Sequence, residues 1–132
     1  MLIRITVMIL RVCALLALIL GLLFWFTNVA DTLVPVHMLL GILVMLSLWV
    51  LAFGIATAAK GKSIPLAVVA FVWGLVMLFV GLNQNGSLYL NSSTHWIIQI
   101  VHFILGIGAI GLGEMISGRY RRMNVQTAQV QA

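Results

Sequence analysis

The stretch VPVHMLLGILVMLSLWVLAFGIATAA, Val34 to Ala59, contains no Asp, Glu, Lys or Arg. As a helix rising ~1.5 Å per residue it would reach ~39 Å, more than the ~30 Å hydrocarbon core of a bilayer. Polar and apolar residues do not alternate along it, as they must in a membrane barrel strand. It therefore reads as a transmembrane helix, with lipid as the solvent for the rest of the chain.

Three more apolar stretches lie around it: about Val12 to Phe26, Ile64 to Leu82, and Trp96 to Ser117. The first has room to start earlier, because Ile3 to Leu10 is apolar apart from Arg4 and Thr6. The chain is 64% hydrophobic and 7% charged, which leaves too few charges to cover a water-facing surface. The expected fold is all-α: an up-down bundle of four transmembrane helices over residues 1–118, followed by a polar cytoplasmic tail over 119–132 that is disordered after Arg122.

The breaks agree with this division. Asn28 to Thr32 is a short polar turn, and Pro35 suits the first turn of the second helix. Lys60-Gly61-Lys62-Ser63 is a tight turn, with Ser63 as expected cap and Pro65 just inside the third helix. Asn83 to Thr94 is the longest loop, and it contains two Asn-x-Ser sequences, at Asn85 and Asn91. Arg11 and the apolar run after it match the outline of a signal peptide, but Asn28-Val29-Ala30 is a poor cleavage site.

All seven basic residues, Arg4, Arg11, Lys60, Lys62, Arg119, Arg121 and Arg122, fall on one side of a four-pass topology. The positive-inside rule then expects both termini in the cytoplasm of a plasma or inner membrane. Trp25, Tyr89 and Trp96 would form the aromatic belt of the outer interface. The basic residues form no stripe with interleaved aromatics, which argues against nucleic acid as a partner and for membrane lipid.

Two short phrases repeat: VHMLLGI at Val36–Ile42 and VHFILGI at Val101–Ile107. Each puts a histidine in an apolar run with a glycine four residues later, on the same helix face. They suggest a two-helix unit used twice, an alternative that a single unrepeated bundle leaves open. Gly21-Leu22 and Gly81-Leu82 add to it, as does the spacing of seven in Ala14–Gly21 and Gly74–Gly81. Helices two and four run the same way, so His37 and His102 are expected at one depth near the outer face, facing each other.

Histidine in hydrocarbon needs a partner. No acid is close: Glu114 is twelve residues beyond His102, ~18 Å along a helix, and Asp31 is in the outer loop. Gly41, Gly106, Gly21 and Gly81 would leave gaps around the two rings. Two neutral imidazoles and a flat apolar slot are what a non-covalent haem b requires, with His37 and His102 as the iron ligands. A bare metal is disfavoured, since two histidines without carboxylate or thiolate are too few ligands. His95, seven residues before His102, and Gln99, three before it, are further candidate cofactor contacts. Each also has a plain reading, as an interfacial histidine and as interhelical glue.

With its His-x3-Gly phrases at His37/Gly41 and His102/Gly106 and its four helices, the chain resembles small membrane-bound b-type cytochromes of the cytochrome b561 kind. The resemblance is architectural and loosely covers residues 12–118. It implies one-electron transfer by a bis-histidine haem, with a quinol, a small oxidant or a redox protein as partner, alone or as a homo-oligomer. The chain departs from the pattern of two haems near opposite membrane faces, since it has three histidines, all near one face. A haem-to-haem route across the membrane is therefore not available to a single chain.

Other features have structural readings. Glu114, the only acid in an apolar run, is expected to pair with Arg11. GIGAIGLG, Gly106–Gly113, matches a dinucleotide-binding pattern but lies mid-membrane without a preceding strand, so close helix packing explains it. The rival functions are a cofactor-free accessory or assembly subunit, and a small transporter.

Overall fold

A computed structural model describes residues 2–27, 31–58, 63–84 and 93–130, with the side chains of 31 and 124–130 outside the description. Lys60, Lys62, Tyr89, Asn85, Asn91 and the Asn28–Ala30 segment also lie outside the described residues. Four helices form: α1 (Leu2–Phe26), α2 (Val34–Ala58), α3 (Ile64–Asn83) and α4 (Trp96–Val130). All four are long and apolar enough to cross a membrane. Among the described residues the chain is an all-helical, multi-pass membrane bundle.

Helix α1 takes the earlier of the two starts the sequence left open, Leu2 rather than Val12, because Arg4 and Thr6 do not interrupt an apolar helix: Thr6 returns its hydroxyl to the Leu2 carbonyl at 3.0 Å. Helix α4 continues to Val130, through the segment expected to be disordered. No Gly or Pro follows Gly118 to stop it. Pro35 and Pro65 do stand in the first turns of α2 and α3. Ser63 holds the cap position, but its side chain makes no cap hydrogen bond and its Oγ is buried without a partner. Its backbone carbonyl instead accepts from the Ala67 N–H at 3.0 Å.

Each helix packs on its neighbours in sequence, and α1 closes the ring on α4. Helices α2 and α4 also touch across the centre. This diagonal contact joins the two helices that run in the same direction. Along it, Val44, Ser47, Leu48, Leu51 and Ala52 are buried on α2, and Ala109, Leu112, Gly113, Ile116 and Ser117 on α4. Each residue of the second set lies 65 positions after its counterpart, the same interval that separates His37 from His102 (102 − 37 = 65). These five pairs repeat in register with the histidine phrases, whereas Met45 and Ile55 on α2 and Leu105 on α4 are buried without a buried counterpart.

A second repeated device ties the helices together. Trp49 Nε1–H donates to the Phe71 carbonyl at 3.1 Å, and its ring lies against Gly74. Trp73 Nε1–H donates to the Leu105 carbonyl at 2.8 Å, and its ring lies against Gly108. In both, the accepting carbonyl is three residues before the glycine. Helix carbonyls keep a second lone pair free, and an indole N–H in lipid must find such an acceptor. Gly108 belongs to the GIGAIGLG run, which lies wholly within α4, so at this glycine the close-packing reading holds.

The most deeply buried side chains, among them Leu10, Leu48, Leu51, Ile55 and Ile116, fill the half of the bundle toward the arginines. The other half is less completely filled, and the histidines are there.

A cavity between two facing histidines

Small residues on α1 open this end of the bundle. Ala14, Ala17 and Gly21 recur at helical spacing and line one wall of a cavity of about 660 Å³. Ile42, Met77 and Leu78 make its floor and sides apolar. The cavity gathers all eight residues singled out in the sequence: His37, His102, Gly41, Gly106, Gly21, Gly81, His95 and Gln99. The volume is within the range of ~300–1,000 Å³ typical of small-molecule and cofactor sites.

His37 enters from the first turn of α2 and His102 from the second turn of α4. Their ring centres are 6.1 Å apart and their planes are inclined at 58°. The Nδ1 atom of each ring is buried with no hydrogen-bond partner. A backbone hydrogen-bonding group of Ala17 also acts on the His37 ring. Phe24 meets the His37 ring edge-on, with centres 5.6 Å apart.

The glycines divide into two kinds. Gly21 faces the His37 ring, where a Cβ would meet Cε1 at 3.4 Å. Gly81 faces the His102 ring, where a Cβ would come within 2.9 Å of Cε1. Each histidine is therefore seated on a glycine of the helix preceding its own, and the unit α1–α2 is echoed by α3–α4. These two glycines are not vacant gaps, as the sequence had suggested, because the imidazoles themselves use the space. Gly41 does border open space, with nothing within 4 Å of an added Cβ, while Gly106 faces Leu18.

His95 and Gln99 stand on the same α4 face above His102, at the polar end of the cavity with Gln84. The His95 carbonyl also starts α4, accepting from the Ile98 and Gln99 N–H groups at 3.0 and 3.3 Å. Phe24, Ala17 and Gln84 were missed in the sequence. The spacing of Ala14, Ala17 and Gly21 was the available signal for the α1 wall. Nothing local marks Phe24 or Gln84.

Among the described residues, no group of three or more His, Cys, Asp or Glu gathers to hold a metal ion. Two imidazoles can complete only a centre that brings most of its own ligands. No protein-family model, curated protein or solved structure matches this chain.

Proposed function

We propose that the cavity holds one b-type haem between His37 and His102, and that the protein transfers single electrons in the membrane. The observation that carries this reading is the pair of facing imidazoles, each with an unsatisfied ring nitrogen, at a ring-centre spacing of 6.1 Å.

His37 and His102 would hold the haem iron, each through a ring nitrogen. Gly21 and Gly81 fix the ring positions from behind, and Gly41 leaves room beside them. Leu18, Ile42 and Met77 exclude water. His95, Gln84 and Gln99 offer polar contacts at the mouth, suited to carboxylates at the edge of a macrocycle. When bound, a bis-histidine haem supplies a low-spin one-electron couple with no open coordination site. The expected electron partner is a quinol, a small oxidant or a redox protein, reached from the histidine end. By the charge rule that end faces away from the cytoplasm.

The test is a visible spectrum of detergent-purified protein from cells given haem precursor, oxidised and then reduced with dithionite. Sharp reduced α and β bands that vanish in His37→Ala and in His102→Ala are expected. A colourless protein would overturn the reading. It would favour the accessory-subunit alternative, which draws on the edge-on Phe24–His37 contact as ordinary aromatic packing.

A further inference from the structure

At the opposite end of the bundle, α1 and α4 run antiparallel and are joined by one ion pair. Arg11 Nε–H donates to Glu114 Oε1 at 2.5 Å and Nη2–H donates to Oε2 at 2.7 Å. Arg4 lies seven residues before Arg11 on α1, and Arg121 lies seven residues after Glu114 on α4. Seven residues are two turns, so each arginine stays on its helix's contact face, ~10 Å from the ion pair toward the same end. Arg121 is close enough to act on Glu114 electrostatically. Arg4 and Arg121 therefore stand at one level, on two touching helices, and both are exposed.

The charge here does not balance within the chain. The seam sets Arg4, Arg11 and Arg121, with Arg122 beside Gly118, against one carboxylate, and the only other acidic residue in the sequence, Asp31, lies past the far end of α1. The α4 surface between Glu114 and Arg121 is also low. A Cβ at Gly118 would meet nothing but the Arg122 guanidinium, at 3.9 Å. The depth selects the anion: two turns beyond the ion pair, at the end of an apolar span, is where lipid phosphates lie.

We infer that Arg4 and Arg121 form a binding site for the phosphate of an anionic phospholipid, anchored by the Arg11–Glu114 pair and opened by Gly118. Basic sites between membrane helices recognise such headgroups, and guanidinium forks match phosphate geometry. The site is independent of the haem reading.

The test is native mass spectrometry of the full chain released from micelles doped with phosphatidylglycerol or phosphatidylcholine. The wild type is expected to retain phosphatidylglycerol preferentially. Affinity should fall about fivefold for each arginine removed in Arg4→Gln and Arg121→Gln. Arg119→Gln, on another face of α4, should leave the preference unchanged. Arg4→Gln alone is at a helix end and tests the site even if the double variant fails to fold. Equal retention of the two lipids by the wild type, or an unchanged preference in Arg4→Gln, would overturn the inference. Displacement of the lipid by inorganic phosphate at equal concentration would also overturn it, by showing a site for free anions.

Discussion

The His102 imidazole is seated on Gly81: a Cβ at that position would stand 2.9 Å from Cε1 and 3.7 Å from either ring nitrogen. His37 has the same relation to Gly21 at 3.4 Å. Position 41, four residues after His37, is open. The ring positions are thus set by the helix behind each histidine, and the free volume lies to the side.

This contrast separates two glycines that look alike in the sequence. Gly81→Ala should displace His102 and reduce or shift the reduced α band, whereas Gly41→Ala should leave the spectrum close to that of the wild type. Parallel spectra of the two variants at matched protein concentration make the comparison. Equal effects at both positions would mean that Gly81 does not seat the ring.

His102→Gly removes the imidazole but leaves its seat and the cavity intact. Added free imidazole should enter that space and restore the bis-histidine bands in a saturable way. The measurement is a titration followed in the Soret region. Absence of rescue, with the helical circular dichroism unchanged, would place the second ligand elsewhere.

Gly108→Ala should destabilise the bundle, since a Cβ there would fall within van der Waals distance of Trp73 Cζ2. Overpacking of a close helix contact costs about 1–3 kcal/mol. Trp73→Phe keeps most of the ring and loses the bond to the Leu105 carbonyl, a smaller loss of about 0.5–1.5 kcal/mol. Thermal unfolding in detergent should rank Gly108→Ala below Trp73→Phe, and both below the wild type.

Arg11 and Glu114 satisfy each other through two hydrogen bonds on the outer surface of the bundle, with side chains 54% and 38% exposed. Glu114→Gln and Arg11→Gln should each lower the thermal midpoint, because each leaves one charge on an apolar span without its partner. The double variant should recover part of the loss. A double variant whose loss equals the sum of the two singles would show that the pair is not coupled.

The fold was legible because lipid imposes strong constraints on a chain. Runs such as Val34–Ala59 must satisfy their backbone groups internally, so length and apolarity suffice to call helices. The starts of α2, α3 and α4 followed from Pro35, Pro65 and Trp96. The ends of the outer helices did not. Arg4 and Thr6 look like a boundary to a hydropathy count, yet a hydroxyl can bond its own helix and an arginine can reach the interface. The tail after Arg122 is polar, and polarity alone does not decide between helix and coil.

For the site, the repeated phrases at His37 and His102 and their parallel helices were enough to name eight of the residues that line the cavity, both histidines among them. They were not enough to say what each glycine does. That depends on the lateral order of the helices and on the α2–α4 diagonal, which bring Gly21 to His37 and Gly81 to His102 and leave Gly41 open. By itself the sequence determined the number of helices, their direction and the level of each polar side chain, since these follow from apolar length and a fixed rise per residue. Only the tertiary structure decided which faces meet. It revealed Trp73 across Gly108 and Phe24 against His37, because rotation about each helix axis is set by packing between helices and not by periodicity within one.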